Sequence, residues 1–278
     1  MKAFTEYRNM YPEFWALVKF SSQELKYTDS ATGLVRSYTE DEIIELLDAN
    51  EYQVNYALVQ SVAEYSRLRA SLLNDFACNN LMSIDQARTV FDELRVLHVR
   101  ENYFCKIPMN KQKGEKRHEA YLTAIVNILT EKTLREAGLV GGGKCFDDDP
   151  AQPLYAIDRN GNFIGVASRR MDGAYPSVIN PKIVWEIKEY YGTTSFGSRV
   201  ADGVYETQLD GYELIDLSRR SGNAILHTLI VDDYFTWWTM GKSYLCRLVD
   251  ILNEGLVDEV IIGREVLTRW PEVLRSVL

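Results

Sequence analysis

The chain has 278 residues, 46% hydrophobic and 26% charged, which is enough apolar side chain to bury a core. A formal net charge of −9 excludes a uniformly basic phosphate-binding surface, so any affinity for nucleic acid must rest on a local site. No apolar run reaches the ~18 residues of a membrane span, and the opening MKAFTEYRNMYPEFW lacks the apolar block of a secretory signal, so the expectation is a soluble cytoplasmic protein with no membrane partner. Cys78, Cys105, Cys145 and Cys246 form no C-x-x-C pair, and His98, His118 and His227 are not at zinc-site spacing.

Residues 1 to about 105 carry helical punctuation. Thr39 followed by Glu42 is a capping-box pattern ahead of Ile43, Ile44, Leu46 and Leu47. Val62, Tyr65, Leu68 and Leu72 recur at helical intervals, and Ser83 with Gln86 opens another helix through Ala87, Phe91 and Leu94. A basic connector follows, with Lys106, Lys111, Lys113, Lys116 and Arg117 against one acid, Glu115. It reads either as a solvated linker or as a phosphate-contacting strip, and the division is expected there: a helical region over 1–112 for DNA recognition or dimerisation, and a second domain over 113–278.

Beyond the connector the pattern predicts a helix over 119–137, strands over 154–158 and 163–168 joined at Asn160-Gly161, and a strand over 183–188. A helix over 199–219, an apolar strand over 224–231, a helix over 239–252 and a last strand over 257–262 complete an α/β sheet with helices on its faces. Gly138-Leu-Val-Gly-Gly-Gly-Lys-Cys145 nearly spells a P-loop, but Cys145 replaces the Mg²⁺-holding hydroxyl and no helix pattern follows, so ATP binding is rejected.

The informative stretch is Met171 to Lys188. On a strand, Glu186 and Lys188 share a face, and such a pair in a buried-looking strand is costly unless paired or used. A hairpin return can set Asp172 opposite Glu186. Those two carboxylates and the carbonyl of Ile187 form an oxygen nest suited to Mg²⁺, with Mn²⁺ able to substitute, and Lys188 beside it can offset charge on a phosphoryl group. The loop after this strand, with Thr193, Thr194 and Ser195 and ending at Arg199, reads as a plain strand-to-helix connection or as a phosphate-contacting loop.

Asp172…Glu186-Ile-Lys188 resembles the signature of the PD-(D/E)XK nuclease superfamily, with Met171 standing where that pattern has proline. The resemblance covers about the C-terminal 160 residues. It implies a restriction-endonuclease-like core, Asp172 and Glu186 as metal ligands, Lys188 as the catalytic lysine, and a Mg²⁺-dependent DNA endonuclease of a prokaryotic restriction or phage-defence system. It further implies Glu119 as the acidic residue of the first core helix and Gln208, in Gln208-Leu-Asp-Gly-Tyr212, as a site residue on the later helix. A homodimer is expected by the same analogy. The alternatives are a non-catalytic nucleic-acid-binding or assembly subunit on the same fold, and an RNA-cleaving nuclease.

Overall fold

A computed structural model describes residues 1–8, 10–112, 115–141, 143, 145–191 and 197–278; within the strands around 113–114, the side chains of residues 111, 112 and 115–117 are not described. The front of the chain is helical: α1 (Pro12–Glu24), α2 (Glu40–Ala49) and α3 (Tyr56–Ser71), continued by a π-turn over Leu72–Ala77 and a short α4 (Cys78–Asn80). The Thr39–Glu42 capping box forms as expected. These helices close on an aromatic centre in which Tyr65 meets Tyr7, Phe14 and Trp15 at 5.0–5.6 Å between ring centroids.

Next comes α5 (Ile84–Arg100), opened by the expected Ser83–Gln86 capping box. The basic connector is not a linker. Met109–Gln112 (β1) and Glu115–Glu119 (β2) pair antiparallel across it, so the expected division at residue 112 falls inside a hairpin. Met82, Ala87 and Phe91 pack into the same core as α6 (Tyr121–Glu136), which places α5 with the sheet-bearing body.

The expected three-strand run is revised. The strands β3 (Tyr155–Ile157) and β4 (Phe163–Val166) form a separate two-stranded sheet, tied to the segment ahead of Ile183 by a bridge between Tyr155 and Ile179. Among the described residues the central sheet has the order β5-β6-β7-β8, with β5 (Gly173–Tyr175), β6 (Ile183–Lys188), β7 (Leu226–Val231) and β8 (Glu259–Ile262). Here β5 runs antiparallel to β6, and β6, β7 and β8 are parallel, so the sheet is mixed. The connections between parallel strands carry α7 (Ser198–Ser221) and α8 (Lys242–Asn253), as parallel strands require a crossover. A last helix, α9 (Val266–Arg275), follows β8.

Alternation along β6 sorts the two faces. Ile183, Trp185 and Ile187 join Ile230 and Ile261 in a core with α6 and Trp270 of α9. Val184 packs with Leu214 and Leu217 of α7, and Leu229 and Val260 pack against Val204 and Val249 of α7 and α8. The result is an α/β/α sandwich with α6 and α9 on one face and α7 and α8 on the other. Gly173 is required by this packing, because a Cβ there would lie 2.0 Å from the Trp185 indole. No helix among the described residues is long and apolar enough to cross a membrane.

Candidate metal and phosphodiester site

Strand β6 delivers Glu186 and Lys188 to the α7 face, both buried. Asp172 precedes β5, and since Gly173 stands opposite Trp185, Asp172 falls opposite Glu186 on that face. The Asp172 N–H donates to the Trp185 carbonyl at 3.1 Å, and its Oδ2 accepts from the Ile187 N–H at 2.7 Å. The carboxylate thus extends the ladder by one side-chain rung, which fixes it beside the two residues flanking Ile187. The three residues expected to share a site do converge.

Other charged groups complete the cluster. Glu186 Oε1 accepts from Lys188 Nζ and from Arg169 Nη2, each at 2.8 Å. Lys188 Nζ also donates to Glu206 of α7 at 3.1 Å, and Arg169 Nη1 donates to Asp210 at 2.6 Å. Helix α7 approaches this closely because residue 203 is glycine: a Cβ there would lie 2.7 Å from the Tyr190 hydroxyl and 3.4 Å from the Lys188 stem. None of Arg169, Glu206 or Asp210 was drawn from the sequence as a site residue. The available signal was helical spacing, since 203, 206, 210 and 213 lie on one face of α7.

Four carboxylates, Asp172, Glu186, Glu206 and Asp210, therefore face two cations, Arg169 and Lys188. The imbalance appears in their acidities. Burial, then the Glu186 charge, pushes Asp172 up to about 7. Burial pushes Asp210 up to about 6 against the pull of Arg169. Burial also works to raise Glu186, but Lys188 and Arg169 outweigh it and hold that carboxyl below its ordinary range. For Lys188, burial opposes the ammonium and Glu186 overrides it, so its pKa is raised. The other Glu186 oxygen, Oε2, is buried and has no hydrogen-bond partner among the described residues.

A buried anionic oxygen without a donor, beside a carboxyl that burial pushes toward protonation, is the arrangement a hard divalent cation would satisfy. Among the described residues no group of three or more His, Cys, Asp or Glu side chains has metal-holding geometry. A cation here would rest on Asp172, Glu186, the Ile187 carbonyl and water, a set that fits Mg²⁺ by oxygen chemistry. Asp172 also opens onto a cavity of about 610 Å³ lined by Lys106, Pro108, Met109 and Thr123.

Two expected site residues fall elsewhere. Glu119 lies in β2, ahead of α6, and pairs with Arg95 of α5 at 3.1 Å. Gln208 lines a separate cavity of about 270 Å³ with Lys19, Tyr27 and Arg247. It sits two residues from both Glu206 and Asp210, about 200° around the helix from each. Arg199 is exposed at the start of α7, its guanidinium 5.6 Å from the Tyr190 ring centroid. Lys113, Thr193, Thr194 and Ser195 lie outside the described residues, as do the side chains of Lys111, Lys116 and Arg117.

Comparison with known families places the whole cluster in one of them: the family described as "Domain of unknown function (DUF7687)" matches residues 82–277. The chain belongs to the DUF7687 family. The DUF7687 region starts just before α5 and includes the sheet, Asp172, Glu186, Lys188 and the α7 carboxylates. A second family, "Domain of unknown function (DUF7690)", matches residues 1–76, the helices ahead of the DUF7687 region. No curated protein and no solved structure matches the chain.

Proposed function

We propose that the protein is a Mg²⁺-dependent DNA endonuclease with a restriction-endonuclease-like core, acting in a prokaryotic restriction or phage-defence system. The observation that supports this reading best is the meeting of Asp172, Glu186 and Lys188 at the β5–β6 rung, with Glu186 Oε2 buried and without a donor among the described residues.

In this reading Asp172, Glu186 and the Ile187 carbonyl hold the ion. The ion when bound supplies Lewis acidity toward a phosphoryl oxygen and toward water. Glu186 holds the Lys188 ammonium at 2.8 Å, where it offsets charge developing on the phosphoryl group. Arg169, anchored by Asp210, orients Glu186 through Oε1 and leaves Oε2 for the ion. Water adds to phosphorus as the bond to the 3′-oxygen breaks; that oxygen takes the proton and a 5′-phosphate end remains.

The strand reaches this centre through the cavity onto which Asp172 opens. Among the described residues its wall carries one cation, Lys106, held at 3.1 Å by Asp149, against the carboxylates of Asp148, Asp149 and Asp172. Positive charge for a polyanion therefore has to come from the hairpin beside it. Pro108 and Met109, at the base of the β1–β2 hairpin, line the same cavity, and that hairpin carries Lys111, Lys116 and Arg117 in sequence. A local basic strip of this kind is what a chain of net charge −9 needs in order to approach a polyanion.

The test is nicking of supercoiled plasmid with Mg²⁺ or with EDTA, beside a single-stranded RNA substrate. The wild type is expected to cut DNA only with Mg²⁺, and Asp172→Ala and Lys188→Ala to lose at least ~100-fold in rate. Equal behaviour of wild type and Asp172→Ala sinks the hydrolase reading in favour of a non-catalytic binding subunit, and cleavage confined to RNA moves the substrate assignment.

A further inference from the structure

The outer face of α7 is unlike its inner one. Asp202, Tyr205, Leu209, Tyr212, Asp216 and Arg219 recur at alternating steps of three and four, the a/d spacing of a coiled-coil seam. The seam faces away from the sheet: Tyr205, Leu209 and Tyr212 are 56%, 53% and 55% exposed. The inner stripe of Gly203, Thr207, Asp210, Leu214 and Leu217 is buried. The exposed apolar stretch, Tyr205 to Tyr212, covers about 10 Å of helix, and charged residues extend the seam at both ends to about 26 Å, a face awaiting a partner.

The order of side chains along the seam indicates which partner. In two antiparallel helices related by a two-fold axis, residues in contact have position numbers that add to a constant. If the axis passes between Asp210 and Gly211, Leu209 of one copy meets Tyr212 of the other. Tyr205, whose hydroxyl accepts from Arg247 at 3.1 Å and keeps its own proton to donate, then meets Asp216, whose carboxylate is paired with Arg220 at 2.6 Å, and Asp202 meets Arg219, an acid against a base. Every layer is complementary to itself under the one register. Arg219 is available for that contact, since its side chain is 75% exposed and its link to Asp216 within the helix is long at 3.7 Å.

We infer that α7 pairs antiparallel with α7 of a second copy of this chain, through the seam from Asp202 to Arg219. A helix pair this short falls below the ~800 Å² per partner of a standard interface. A groove beside Tyr212, lined by Met10, Pro12 and Trp15, extends the surface toward α1, where Tyr11 is also exposed. An interface of that size is expected to dissociate in the micromolar range, and it is independent of the hydrolase reading because Glu206 and Asp210 lie off the seam.

Sedimentation velocity on the full chain between roughly 1 and 100 µM tests this. The wild type is expected to shift from monomer to dimer across that range. Asp202→Arg and Arg219→Asp each set like charges together in two symmetric layers and are expected to leave monomer throughout, while the double variant, with charges exchanged, restores the dimer. Both positions are exposed, and circular dichroism checks that the helix content is unchanged. A wild type that is monomeric at 100 µM, single variants that still dimerise, or a double variant that stays monomeric overturns the pairing.

Discussion

Asp172 shows how the site's charge couples to stability. Its carboxyl titrates near 7 in the folded chain, against 3.8 ordinarily. Between those values the folded state keeps a proton that the unfolded chain has already released. Stability therefore falls as pH rises from about 4 to 7, by up to ~1.4 kcal/mol per unit. Asp172→Asn keeps an acceptor for the Ile187 N–H and removes the charge. It is expected to be more stable than wild type at pH 8 without metal, by up to about 4 kcal/mol, and no more stable at pH 4. Urea denaturation at the two pH values checks this; the same difference at both would mean that Asp172 carries no strained charge. The three residues of the motif were legible because a strand's two-residue period aligns Glu186 with Lys188. Arg169 was not, because it reaches the site from a segment with no regular period.

Among the elements, α7 is set by one small residue. Alanine normally favours a helix over glycine by about 1 kcal/mol. At position 203 the added Cβ would press on the Tyr190 hydroxyl and the Lys188 stem. Gly203→Ala is expected to destabilise the protein by roughly 1–3 kcal/mol and to lower nuclease activity, measured by denaturation and plasmid nicking. A stabilised, fully active variant would show that α7 need not lie so close. Sequence periodicity gave β6 without error and α7 and β7 within two residues at their ends, since each has a long, consistent burial pattern. It missed the β1–β2 hairpin because a charged strand with a register shift near Asn110 has no apolar alternation. It also missed β5, whose three residues are too few to show a period. Glu119 was placed on α6 because Ala120, at that helix's N-cap, offers no side-chain capping signal.

Across the whole molecule, the DUF7690 helices are joined to the sandwich by a buried charge contact. Arg69 of α3 donates twice to Asp250 of α8 at 3.0 Å, and Tyr65 donates to the same carboxylate at 2.6 Å. Arg69 is fully buried, so Arg69→Met leaves Asp250 without its counter-charge and is expected to cost about 3–5 kcal/mol. Arg69→Met with Asp250→Leu is expected to recover most of that loss, and thermal denaturation of the pair checks it. Additive losses instead would show that the two residues do not act as a pair. Neither residue stood out in the sequence, because a long-range ion pair has no local pattern.

The central claim is that a divalent cation belongs between Asp172 and Glu186. A crystal soaked in Mn²⁺ and measured at the manganese edge tests it directly. The expected result is one anomalous peak within coordination distance of Asp172, Glu186 Oε2 and the Ile187 carbonyl, absent from an Asp172→Asn crystal soaked alongside. A soaked wild-type crystal with no peak there, its Glu186 still held by Arg169 and Lys188 alone, contradicts it.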